Sequence, residues 1–316
     1  VRKRCVEFDV EFRDVEFLVG WSIFLTGLLW VPGAKARSIG AMKIFLSADI
    51  EGVAGITHWD EASIGAEGYE EFRGQMTREV KAACEGAVAA GAREIWVKDA
   101  HDSGRNILTE ELPECVRVVR GWSGHPSLMM QELDESFDAV MMVGYHSTAG
   151  SGGNPLEHSI SLQVARMELN GEPASEFLLH AYEAARHGVP VALVTGDEGI
   201  CAQAGKVLPR AATVAVTQGI GRSTVSLHPL VAADRIHAAA AKALSKSARS
   251  AHKPLALPKR FKLELRYKDA AVAYRAGFYP GVRQVDATQV SFETSDFFEV
   301  MRMLLFTTAE LPSQGV

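Results

Sequence analysis

From Met42 onward, apolar and polar positions switch between two periods. "KIFLSAD" (43–49) is an apolar run of strand length, and "YEEFRGQMTREVKAACEGAVAAGA" (69–92) has the spacing of an amphipathic helix that Gly91 ends. "EIWVKDAH" (94–101) predicts a strand, "PSLMMQEL" (126–133) a short helix and "AVMMVGYH" (139–146) a further strand. "HSISLQVARMELNGEPAS" (158–175) alternates and closes on Asn170-Gly171, a tight-turn dipeptide, so a hairpin is expected there. "SEFLLHAYEAARHG" (175–188) returns to helix, and "VPVALVTGD" (189–197) and "ATVAVTQGIG" (212–221) to strand. Alternating strand and helix, with apolar central runs, predicts an α/β fold of three layers, a mainly parallel sheet flanked by helices. The polar, basic, proline-bearing "KSARSAHKPLALPKR" (246–260) marks a boundary. It divides a main domain over 42–250 from a smaller C-terminal α+β subdomain over 251–316, in which strands and a final helix are expected.

Residues 1–41 do not follow this pattern. "FLVGWSIFLTGLLWV" (17–31) is an apolar run of fifteen, followed by "PGAKA" with the small-residue spacing of a signal-peptidase site. Five acids precede it, which suits an export signal poorly, and a membrane span needs about 20 residues. Residues 1–41 are therefore expected to be an upstream translation artefact or dispensable extension, with an export signal as the alternative. The protein is expected in the cytoplasm, or exported if that segment works as a signal. The net charge of -6 has no basic excess and argues against nucleic acid as a partner. Four scattered cysteines without a CxxC pair exclude a disulfide framework and a cysteine-ligated zinc site. Any metal must be held by His, Asp and Glu.

Three predicted strands end on such residues: the first on Asp49 and Glu51, the second on His101, the third on His146. In open α/β sheets the carboxyl ends of the strands form the ligand crevice, so topology brings these ends together. Asp49 and Glu51 point the same way if the strand continues that far, and Gly52 is expected to let the backbone turn away. His158 and Glu176, at the two ends of the predicted hairpin, are further contributors. Such a set suits one or two divalent ions, zinc among them. Singly, each residue has a plainer reading: cap or turn acceptor for Asp49, solvated charge for Glu51, ordinary satisfied histidines, a helix-dipole acid for Glu176. The convergence of three strand ends is what favours a metal. Elsewhere, "TQGIGRS" lacks the third glycine and later acid of a dinucleotide fingerprint and reads as a turn, and neither a GxSxG elbow nor a P-loop occurs. Cys115 reads as a structural thiol, and "GAVAAGA" as small-residue helix packing.

"SADIEGVAGI", "VKDAHDSGRN", "VGYHSTAG", "EHSISLQVARMELNGEPASE" and "VTGDE", in that order, resemble the zinc-dependent D-aminopeptidases associated with bacterial dipeptide transport. The resemblance runs from about Met42 to the end of the chain. It implies a peptidase with two zinc ions per subunit that removes N-terminal residues, D-amino acids in preference, from short peptides. Asp49 would bridge both metals, Glu51 and His146 would complete one site, and His101 and Glu176 the other. His158 matches the family's catalytic histidine, as nucleophile, base or oxyanion stabiliser. A ring-shaped homodecamer is implied. The loop "STAGSGGNPLE" (147–157) is longer and richer in glycine than the family pattern leads one to expect. Two alternatives stand beside this reading: a metal-dependent amide or ester hydrolase of other specificity, and a non-catalytic, metal-stabilised oligomeric peptide-binding protein.

Overall fold

Residues 42–308 are described by the structure, a computed structural model; the expectations for residues 1–41 lie outside them. Met42–Ala48 forms β1, followed by the single-turn α1 (Trp59–Ala62) and the long α2 (Tyr69–Ala89). β2 (Ala92–Asp99), β3 (Val116–Val119) and β4 (Ala139–Tyr145) come next, then the hairpin of β5 (Val164–Leu169) and β6 (Glu172–Pro173). α3 (Glu176–Arg186), β7 (Val191–Asp197), α4 (Glu198–Val207), β8 (Ala212–Ile220) and β9 (Ser223–Ser226) follow. α5 (Pro229–Ala243) and the one-turn α6 (Lys246–Arg249) lead to β10 (Phe261–Tyr267), α7 (Ala270–Ala276), β11 (Val282–Gln284), β12 (Gln289–Thr294) and α8 (Phe297–Thr308).

The main sheet has the order β3-β2-β1-β4-β7-β8-β9, parallel except for the last pair. β1 is mostly apolar because it lies between β2 and β4 with both faces covered. One face packs Ile44, Leu46 and Val143 against Val80 of α2 and Ile236 of α5. The other packs Phe45, Val140 and Val194 against Phe177 of α3 and Ile200 of α4. These are the three layers expected. Small residues in α2 let α5 approach: a Cβ on Gly86 would stand 2.4 Å from the His237 carbonyl.

A second, antiparallel sheet has the order β11-β12-β10-β5-β6. In β10, Phe261, Leu263, Leu265 and Tyr267 face a core that α7 and α8 cover, and the residues between them face outward. The hairpin β5–β6 belongs to this sheet, which therefore uses chain from both sides of residue 250.

Three local expectations are corrected. Residues 158–163 do not start the hairpin strand, because Ile160 sits at φ 63 and reverses the chain there. Ala270–Ala276 is helical, started by the Asp269 carboxylate, which accepts from the Ala271 N–H. The helix expected at 126–133 is a single 3-10 turn, Leu128–Met130. α4 and α5 escaped the pattern reading, although α5 carries a legible start: the His228 ring caps it and Pro229 opens it.

Candidate metal centre

The sheet order changes direction at β1 and β4, since β2 lies to one side of β1 and β4 to the other. The crevice at such a reversal is where open α/β sheets bind ligands. Asp49, Glu51, His101 and His146 all lie there, at the carboxyl ends of β1, β2 and β4, and all are buried. Asp49 and Glu51 come together through a turn rather than through strand alternation. The Asp49 N–H still donates to the Val143 carbonyl at 2.8 Å, but the chain then bends, and the Gly52 N–H donates to the Gly144 carbonyl at 2.9 Å. Gly52 is needed for closeness rather than for an unusual φ, because a Cβ there would fall 1.9 Å from the Tyr145 carbonyl oxygen.

Each histidine is held by a backbone carbonyl. His101 Nε2 donates to the Ala62 carbonyl at 2.7 Å, which ties α1 to the site. That leaves the His101 Nδ1 lone pair facing Glu51 Oε1 at 3.1 Å and Asp49 Oδ1 at 3.4 Å. His146 Nδ1 donates to the Ser147 carbonyl at 2.9 Å, so Nε2 faces Asp49 Oδ2 and Glu176 Oε2, each at 3.6 Å. His158 Nδ1 donates to the Leu156 carbonyl at 3.0 Å, and its Nε2 lies 3.6 Å from Glu176 Oε1. Its ring stacks on His146 with centroids 4.3 Å apart, and the Trp59 ring meets it edge-on.

Glu176 opens α3, whose N-cap is Ser175. Its Oε1 accepts the Ile160 N–H at 2.6 Å. The left-handed conformation of Ile160, unfavourable for a β-branched residue, delivers that N–H.

Unless a proton or a metal cation lies between them, the inward imidazole nitrogens face carboxylate oxygens as acceptor to acceptor. Buried Glu51 Oε2 and His146 Nε2 have no hydrogen-bond partner. Acceptors aimed at acceptors in the interior are costly unless a cation lies between them. Protonation is the only relief the side chains have by themselves. Burial and the neighbouring Glu51 charge push Asp49 well above the usual carboxylate range. Burial opposes ionisation of Glu51 and Glu176 too, but nearby imidazoles outweigh it, His101 for Glu51 and His146 for Glu176, and Glu176 falls to about 2. Burial also disfavours charge on the histidines. Glu51 overcomes it at His101 and Glu176 at His146, raising both, whereas burial and the adjacent His146 lower His158. The residues fit a divalent metal.

All six residues singled out in the sequence therefore meet. Their nearest contacts form two groups, Asp49–Glu51–His101 and His146–His158–Glu176. This differs from the pairing that the resemblance implies, although Asp49, with one oxygen toward each of His101 and His146, is shared in both.

A cavity of about 470 Å³ opens over the group. Its walls include Trp59, Trp122, Leu128, Leu162, His125 and, from α8, Leu305. Pattern reading missed these residues because they come from loops, single helical turns and one face of α8, segments that neither period nor spacing relates to one another. It also missed Asp99, a buried acid at the end of β2. Asp99 accepts the Asn106 and Ile107 N–H groups at 2.6 and 2.8 Å, and Asn106 Nδ2 in turn reaches the His101 carbonyl at 2.7 Å. Of the cysteines, Cys84 and Cys201 are buried and Cys115 is half-buried; burial pushes the Cys201 thiol up to about 12.

Residues 42–306 match the family described as D-aminopeptidase. A D-aminopeptidase of Bacillus subtilis (strain 168) is 31% identical over 269 residues, 84% of this chain and 97% of the relative. A solved structure, described as the Zn-dependent D-aminopeptidase DppA from Bacillus subtilis, a self-compartmentalizing protease, superposes with a TM-score of 0.79. It is 29% identical, over 84% of this chain and 97% of that one.

Proposed function

The chain belongs to the D-aminopeptidase family, and on that premise we propose that it removes N-terminal residues, D-amino acids in preference, from short peptides at a centre of two zinc ions. One observation carries the reading: three imidazoles donate outward to backbone carbonyls and turn their lone pairs inward on buried carboxylates. Imidazole nitrogen and carboxylate oxygen are zinc ligands. Asp49 would be shared, and Glu51, His101, His146 and Glu176 would divide between the two ions. Bound there, zinc supplies Lewis acidity toward the scissile carbonyl.

His158 stands apart from His101 and His146 in exposure and in that burial and the adjacent His146 lower its pKa, and it lines the cavity. Its Nδ1 proton is committed to the Leu156 carbonyl, so Nε2 presents a lone pair. A lone pair suits accepting a proton from the attacking group, or attacking directly, better than donating to an oxyanion.

We also assign the chain to a homo-oligomer, with the homodecameric ring as its finer form. The description of the solved relative as self-compartmentalizing supports this. So do Tyr274, Phe278 and Phe306, large aromatics left 61%, 72% and 62% exposed on and beside α7 and α8.

Three measurements test the proposal. Metal analysis should find two zinc ions per chain, and none would overturn the metal reading. Matched D- and L-alanyl p-nitroanilides should be cleaved in favour of the D form, and equal rates would overturn the stereospecificity. Light scattering should give a multiple of 34.2 kDa, and a monomer would overturn the assembly.

A further inference from the structure

Asp197 ends β7 and is completely buried, and its hydrogen bonds go to Ser147, Asn154 and Ile200 rather than to the six residues of the metal centre. As the N-cap of α4 it needs one bond, from the Ile200 N–H to Oδ1 at 2.8 Å. It accepts three more from the glycine-rich loop after β4. The Ser147 hydroxyl donates to Oδ1 at 2.6 Å, the Ser147 N–H to Oδ2 at 2.6 Å and Asn154 Nδ2 to Oδ2 at 3.1 Å.

Each of these partners leads to a different member of the centre. The Ser147 carbonyl accepts from His146 Nδ1 and so sets the direction of the Nε2 lone pair. Asn154 Nδ2 also donates to the Glu51 carbonyl at 2.9 Å. Asn154 Oδ1 accepts the Leu156 N–H at 2.8 Å, and the Leu156 carbonyl accepts from His158 Nδ1. One carboxylate thus reaches Glu51, His146 and His158 through one or two intermediates.

Three glycines clear space for this arrangement. A Cβ on Gly153 or on Gly199 would stand 2.4 Å from the Ser147 hydroxyl oxygen. A Cβ on Gly219 would stand 2.4 Å from the Gly153 carbonyl and 2.8 Å from Asn154 Cα. This accounts for Gly153 in the loop, and for Gly219 inside the strand β8.

We propose that Asp197 is a positioning residue: through Ser147 and Asn154 it aligns His146, Glu51 and His158 for metal binding and turnover. The proposal rests on the zinc reading above. Partners behind metal ligands commonly change affinity by about 10- to 100-fold when altered.

The test compares wild type, Asp197→Asn and Gly199→Ala. The Asn side chain keeps the size of Asp197, but in either amide orientation it turns an NH2 toward a backbone N–H that needs an acceptor. Gly199→Ala leaves Asp197 intact and favours the helix by about 1 kcal/mol, while its methyl displaces the Ser147 hydroxyl from the carboxylate. Zinc affinity is measured by chelator competition, ligand geometry by the visible absorption of the Co2+-loaded protein, and folding by melting the metal-free forms. Both variants should bind zinc about 10- to 100-fold more weakly than wild type and show a changed Co2+ spectrum. Metal-free Gly199→Ala should melt close to wild type, and metal-free Asp197→Asn lower, because a buried N–H is left without an acceptor, yet still as a folded protein. Unchanged zinc affinity and spectrum in both variants would overturn the proposal. If Asp197→Asn fails to fold, Gly199→Ala decides by the same criterion. A wild-type protein that binds no zinc overturns the metal reading and this inference together, which separates the two failures.

Discussion

His158 and Gly52 act on the same centre in opposite ways, one by what its side chain offers and the other by having none. His158 stacks on His146 and keeps its lone pair beside Glu176. His158→Ala should therefore keep its zinc and lose about 10²- to 10⁴-fold in kcat, the range expected for a proton-transfer group. Zinc content measured beside turnover checks this, and loss of zinc would make His158 a required ligand instead. Gly52 lies against the Tyr145 carbonyl, where backbone on both sides prevents relief. Gly52→Ala should cost more than about 4 kcal/mol, outside the common range for single substitutions, and carry Glu51 away with it. A variant that melts like wild type would contradict the packing described.

At the scale of elements, α2 holds the loop that carries Glu51. Glu79, buried in α2, accepts the Ala54 N–H at 2.8 Å and Gln75 Nε2 at 2.9 Å on one oxygen, while its other oxygen has no partner. Burial pushes its carboxyl up to about 7, even against those two bonds. The folded state then keeps a proton that the unfolded chain releases near its ordinary value of 4.5. More protons are bound when folded, so this contribution to stability is complete below pH 4.5 and is lost as pH rises to 7. The loss is roughly 3 kcal/mol. Glu79→Gln keeps both accepted bonds without the titration. It should be more stable than wild type at pH 8 and show a flatter stability profile between pH 5 and 7, as urea denaturation at several pH values would reveal. An unchanged profile would contradict a protonated Glu79.

Element type was legible in the segments with the strongest apolar period, β1, β2, β4, β7 and α2, whereas α4 and α5 bury mostly alanine faces that mark themselves weakly. The segment 158–163 was not legible. Its alternation is that of a strand, but the Ile160 N–H is drawn to Glu176, a residue 16 positions away. Ala270–Ala276 is short and flanked by strands, and only the Asp269 cap marks it.

For the whole molecule, the centre is expected to contribute to stability as well as to chemistry, because metal binding adds free energy to the folded state alone. Removing metal with a chelator should lower Tm by on the order of 10 °C. Zinc should restore it, and a Tm insensitive to chelator would contradict the site. Among the described residues, no helix is long and apolar enough to cross a membrane.

Periodicity and strand-end chemistry in the sequence determined the layered α/β fold and the six residues of the centre, because a buried parallel sheet must be apolar and must present its strand ends on one side. Tertiary structure alone decided how those residues face one another. It set the imidazole tautomers through carbonyls at Ala62, Ser147 and Leu156, and it assembled the cavity walls from loops, single helical turns and α8. It also made a hub of Asp197, which in sequence is one more acid at the end of a strand. Hydrogen-bond partners and close approaches between distant segments depend on three-dimensional neighbours, and neither period nor spacing encodes them.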